Sequence, residues 1–194
     1  MSDFVFGYAS LVGFAEPAAL PGRLRGFRRG WGAAMDNWAA VNDPKHFIDR
    51  GTGERLRVRV AYLDIHESEG ASVNGLAIPV DEARLVALDA REVNYERIDI
   101  SDAFEQVGAD ARASSGPQGA AQPPRRVFTY VGTEAGRERC RRGAAEGNVC
   151  VSADYLAAVR RAFADLRSDA LVEFDRTTDP LLFPERDLEL VRSR

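Results

Sequence analysis

Two rhythms of apolar and polar residues run along this chain. Phe4, Val5 and Phe6 form a short run of β-formers that stops at Gly7, which predicts a buried strand feeding a loop over Gly7 to Leu11. A second strand is predicted from Arg23 to Ala34, with Phe27 and Trp31 among its apolar positions. Residues 42–54 carry Asn42-Asp43-Pro44 and Gly51-Thr52-Gly53 and read as turn. Leu56, Val58 and Val60 then alternate with Arg55, Arg57 and Arg59, the pattern of a strand with one wet face. Further strands are predicted at Val73–Val80, Tyr95–Ile100 and Arg126–Gly132. Helical spacing replaces alternation twice. Asp81 is placed to cap a helix through Leu85, Leu88 and Glu92 to about Val93. Ser152 is placed to cap another, with Leu156, Val159, Phe163 and Leu166 on one face. Residues 109–125, mostly Ala, Ser, Gly, Pro and Gln, read as a flexible surface loop. Mainly strands, with helices inserted, make the expected fold α+β: a small, mostly antiparallel or barrel-like sheet with flanking helices.

One residue does not suit its face. At about 100° per residue, Leu85 sits at about 0°, Leu88 at about 300° and Glu92 at about 340°. The carboxylate therefore leaves the helix in its apolar stripe. There it must be paired, have its pKa raised, or line a cavity. A desolvated glutamate is suited to acid–base work near neutral pH. Two plainer readings stand beside this one: the helix ends early and Glu92 turns to solvent, or Glu92 forms an ion pair with Arg91 or Arg97. Asp89, also near the stripe, reads as a rim carboxylate.

Composition narrows the chemistry further. The 194 residues are 45% hydrophobic, enough for a packed core, and fit one domain over residues 1–194 with a divergent C-terminal segment. The 26 basic and 30 acidic residues interleave to a net charge of −4, which leaves no footprint for nucleic acid or an anionic membrane. No apolar run approaches the roughly 18 residues of a membrane span. Residues 1–6 lack the basic-then-apolar order of a signal peptide, so a cytoplasmic location is expected. His46, His66, Cys140 and Cys150 give no metal-ligand spacing, and no phosphate loop, dinucleotide fingerprint or nucleophile elbow is present. Arg137, Arg139, Arg141 and Arg142, interspersed with Glu134, Glu138 and Glu146, read as a solvated helix face.

Four segments, in order, resemble the γ-glutamylcyclotransferase family, including its ChaC-type and avirulence-induced-gene-like branches. They are Phe6-Gly7-Tyr8-Ala9-Ser10-Leu11, Arg23 to Trp31, Val73-Asn74-Gly75-Leu76-Ala77, and Leu88-Asp89-Ala90-Arg91-Glu92-Val93-Asn94-Tyr95. Arg126 to Gly132 is similar to a later family strand, with Tyr130 at its tyrosine. The chain departs from the family loop at Ala9, where Gly is usual. The resemblance implies a small-molecule γ-glutamyl substrate whose own α-amine attacks the γ-carbonyl, releasing 5-oxoproline and an amine without metal or cofactor. It implies Glu92 as the acid–base residue, and Tyr8, Ala9, Ser10 and Leu11 as the loop whose backbone amides hold the substrate. Tyr130 would donate a hydrogen bond to it. Two alternatives share the fold: a non-catalytic ligand-binding or regulatory domain, and an enzyme that removes a γ-glutamyl group from a larger metabolite. Oligomeric state is not legible in the sequence.

Overall fold

The computed structural model describes residues 2–38, 45–107 and 125–192. The loop expected at 109–125 therefore lies, apart from Arg125, outside the described residues. The chain opens with β1 (Asp3–Gly7), a 3-10 turn (Ser10–Phe14), β2 (Leu20–Asp36), β3 (Lys45–Asp49) and β4 (Arg59–Val80). Helix α1 (Glu82–Arg91), β5 (Tyr95–Asp99), β6 (Phe104–Gln106) and β7 (Val127–Gly132) follow. Helix α2 (Glu134–Glu146), β8 (Val149–Ser152), α3 (Ala153–Leu166), α4 (Ala170–Arg176), β9 (Glu185–Arg186) and β10 (Leu188–Arg192) complete it.

The main sheet runs β5-β7-β1-β4-β2-β6, with β8 joined to β4 and β9 to β8. It curls into a half-barrel, and the fold is α+β as the pattern predicts. The ribbon of β2 and β4 is antiparallel along nearly its whole length, whereas β1 meets β7 in parallel and β8 meets β4 and β9 in parallel. Strand β1 is buried on both faces, which explains its unbroken apolar run. Phe4 and Phe6 join Leu63, Val131 and Phe163 in the main core under α3 and α4, while Val5 joins Val80, Leu85 and Tyr130 under α1. Both expected caps are made. Asp81 Oδ1 accepts from the Arg84 amide at 2.8 Å, and Ser152 Oγ from the Tyr155 amide at 3.4 Å. Such a cap typically adds about 1 kcal/mol.

Several expectations need correction. Residues 45–49 are not turn: they pair antiparallel with β10, whose residues come far later in the chain, and a local pattern cannot show such a partner. Strand β4 starts at Arg59, so residues 55–58 are not strand. Arg59 does not face water either. It is buried between Asp36 at 3.0 Å and Glu146 at 2.6 Å, with its guanidinium over the Trp38 ring. Of the four α2 arginines, Arg141 and Arg142 keep the solvated face, but Arg137 Nε reaches Asp64 Oδ2 at 2.8 Å and Arg139 Nη2 reaches Asn94 Oδ1 at 2.7 Å. Helix α1 ends at Arg91, so Glu92 caps it from outside rather than extending its stripe.

Candidate active site

The first loop is shaped by a missing side chain. A Cβ on Gly7 would lie 2.7 Å from Leu11 Cβ and 3.1 Å from the Val12 nitrogen, so only glycine lets the 3-10 turn fold back onto β1. Ala9 has φ −141° and ψ −128°, with its carbonyl accepting from the Val12 amide at 3.0 Å. Its negative φ removes the need for the glycine usual in the family loop. Ser10 and Leu11 begin the turn, where the first amides have no acceptor within the helix. Tyr8 is buried, and its hydroxyl donates to the Tyr130 carbonyl at 2.8 Å, tying the loop to β7.

Glu92 is held by its backbone on both sides. Its amide donates to the Leu88 carbonyl at 2.9 Å, and its carbonyl accepts from the Tyr95 amide at 2.8 Å. The helix does end early, yet the side chain does not turn to water, being only 17% exposed. Burial raises its pKa above 4.5, and the positive charges of Arg91 and Lys45 counter only part of that shift. Arg91 Nε is 3.4 Å from Glu92 Oε1, whereas Arg97 is beside Asp89 at 3.5 Å.

This carboxylate acts electrostatically on four phenols. Its negative charge helps raise the pKa values of Tyr8, Tyr95, Tyr130 and Tyr155, after burial as the dominant cause in each. Tyr95 and Tyr155 come from β5 and α3, and they converge on one residue of β4. The Tyr95 hydroxyl donates to the Leu63 carbonyl at 2.8 Å, and the Leu63 amide donates to the Tyr155 hydroxyl at 3.3 Å. They serve Leu63 between the two stretches where β4 pairs with β1 and with β8. Neither was among the expected site residues. Tyr95 read as the first residue of a strand, and Tyr155 is three positions after the Ser152 cap with nothing local to mark it. Tyr130 is placed differently from the loop residues. Its ring is on the α1 side of β7 and its hydroxyl donates to Asp89 Oδ1 at 2.7 Å. Asp89 thus accepts from Tyr130 besides facing Arg97.

Two hollows adjoin this region. A recess of about 350 Å³ is bounded by α2 and residues Asp179 and Phe183, over Gly30 and Gly32, and none of the expected site residues lines it. A smaller groove of about 190 Å³ includes Leu11 of the first loop and Leu88 and Arg91 of α1. Among the described residues, no three His, Cys, Asp or Glu side chains gather as metal ligands, and no helix is long and apolar enough to cross a membrane.

No protein-family model and no curated protein matches the chain. Solved structures do. A yeast γ-glutamyl cyclotransferase specific to glutathione superposes with a TM-score of 0.51 at 15% identity, over 91% of this chain and 96% of that one. The fold is that of the γ-glutamylcyclotransferases. YkqA from Bacillus subtilis shares it with a TM-score of 0.50 at 13% identity, over 90% of this chain and 53% of its own. Within the γ-glutamylcyclotransferase fold, Leu11 of the first loop and Leu88 of α1 pack in one cluster, and Tyr130 meets Tyr8 through its carbonyl and Asp89 through its hydroxyl. A fold hosts many activities, so function has to be argued from the site.

Proposed function

We propose that the chain cyclises γ-glutamyl amides to 5-oxoproline, with Glu92 as the acid–base residue. The observation that carries this reading is a largely desolvated carboxylate of raised pKa at the end of α1, the helix whose Leu88 packs in one cluster with Leu11 of the first loop. Cyclisation asks little else of a protein, because the nucleophile belongs to the substrate. The α-amine gives a proton to Glu92 and attacks the γ-carbonyl carbon, forming the ring C–N bond. The tetrahedral intermediate collapses with cleavage of the original amide bond, and Glu92 returns the proton to the departing nitrogen. Backbone amides of Ser10 and Leu11 would steady the developing oxyanion or the α-carboxylate. Tyr8, fixed to β7 through the Tyr130 carbonyl, would hold that loop in place. Tyr130 takes a supporting part, since its hydroxyl is engaged by Asp89. Folding the substrate so that amine and carbonyl meet supplies the proximity effect.

The test is the substrate amine. A γ-glutamyl amide with a free α-amine should give 5-oxoproline, while its N-acetyl counterpart should give no product. Comparable cleavage of the acetylated compound would show that water is the nucleophile, and it would overturn cyclisation.

A further inference from the structure

Helix α1 turns one face toward the 3-10 turn. Arg84, Ala87, Leu88 and Arg91 follow the i, i+3, i+4, i+7 spacing of a single helical face, and all four line the groove of about 190 Å³. Val5 and Val80 also line it from the sheet, and Leu11 and Phe14 from the turn. Three observations say what this groove is built to hold. First, its lining includes residues that contact Glu92 and one from the first loop. Leu88 accepts the Glu92 amide, Arg91 Nε is 3.4 Å from its carboxylate, and Leu11 belongs to the loop after β1. Second, Phe14 is left 50% exposed, although Phe4 and Phe6 of the neighbouring β1 are buried. An aromatic side chain held at the edge of an apolar hollow is characteristic of a ligand groove. Third, both of its cations are already engaged. Arg84 Nη1 reaches Glu16 Oε1 at 2.6 Å, and Arg91 stacks 4.6 Å from the Phe14 ring centre while facing Glu92. The groove thus offers apolar surface rather than unsatisfied charge.

We infer that this groove is the leaving-group subsite and takes the uncharged alkyl or arylalkyl part of a γ-glutamyl amide. This rests on the proposed cyclisation and adds its substrate class: glutamyl amides of apolar amines, preferred over those of small or charged ones. The glutamyl head stays with the first loop, the scissile amide is beside Glu92, and the apolar chain runs along α1 toward Arg84. When the amide bond breaks, the departing nitrogen takes its proton from Glu92 and the freed amine leaves through the groove mouth at Phe14.

The experiment measures binding by calorimetry to full-length Glu92→Gln protein, using γ-glutamylbenzylamide and γ-glutamylmethylamide. The benzylamide should bind at least about tenfold more tightly, the scale on which apolar pockets discriminate. Ala87→Glu, at an exposed helix position, and Phe14→Ser, at an exposed turn position, should each remove most of that preference and leave methylamide binding unchanged. Equal affinity for the two amides, a preference that survives both substitutions, or no binding of either amide would overturn the subsite. Turnover by the unmodified protein separates this from the cyclisation itself. Methylamide cyclised without benzylamide preference in the binding assay removes the groove alone. A groove-dependent preference without 5-oxoproline leaves the subsite standing and removes cyclisation.

Discussion

Taking a carboxylate out of water costs free energy that a protein accepts only for a return elsewhere, and Glu92 is the residue where that cost is visible. With its pKa raised by burial, folded protein binds a proton more readily than unfolded chain does. Stability should therefore fall as pH rises from the ordinary value of 4.5 through the raised one, and then level off. Glu92→Gln should remove that pH dependence, hold or raise the melting temperature, and lower kcat by about a hundredfold or more. Asp89→Asn serves as the comparison, because an amide oxygen can still accept from Tyr130. A destabilised Glu92→Gln protein with near-normal turnover would mark a structural ion pair with Arg91 instead. Glu92 was legible from the helical wheel even though the helix stops one residue short, because the turn closed by the Tyr95 amide keeps the side chain directed inward. Arg29 was not legible. An arginine in a strand reads as solvent-facing, yet this one is fully buried, donates to Thr178 Oγ1 at 2.9 Å and is placed 4.4 Å over the Phe174 ring. Burial lowers its pKa to about 9. Its Phe174 partner arrives 145 positions later in the chain, which no local pattern encodes.

Among the elements, the 3-10 turn after β1 carries the most consequence. Gly7 permits it by leaving room for Leu11, so Gly7→Ala should push the turn outward and cost about 1–3 kcal/mol, the usual range for overpacking. Because the same movement displaces the amides of Ser10 and Leu11, kcat/KM should fall in protein that remains folded. Gly13→Ala, whose Cβ would meet only Ala162 at an ordinary 3.9 Å, should leave both unchanged. Melting curves and steady-state rates on the two variants check this, and equal effects at the two positions would contradict it. The turn and α1 were legible because their signals are local: a strand that stops at glycine, and an aspartate cap. The length of β4 was not. Between Ser72 and Glu67 its register with β2 shifts across Gly26, which has φ +78°, and residues 67–72 are polar enough to break the alternation. Pairing with β2 holds the strand together across that interruption, and this is a tertiary effect.

At the scale of the whole molecule, the half-barrel brings together residues from distant parts of the chain. Strand β4 pairs along one edge with β1 at residues 76–80 and with β8 at residues 59–60. Tyr95 and Tyr155 satisfy Leu63 between those stretches, and Tyr8, just after β1, ties the first loop to β7. The first loop and the Glu92 segment could be read from order and spacing, because each is a short contiguous motif. The phenols from β5 and α3, and the C-terminal strand that completes the small second sheet, depend on long-range pairing and could not. Cyclisation requires that this assembly turn over a γ-glutamyl amide. The direct measurement is 5-oxoproline, quantified by mass spectrometry after incubating the purified protein with γ-glutamyl amides of several amines. Cyclisation should give 5-oxoproline and free amine in equal amounts, lost in Glu92→Gln. Glutamate in place of 5-oxoproline, or no product from any amide tested, would contradict it.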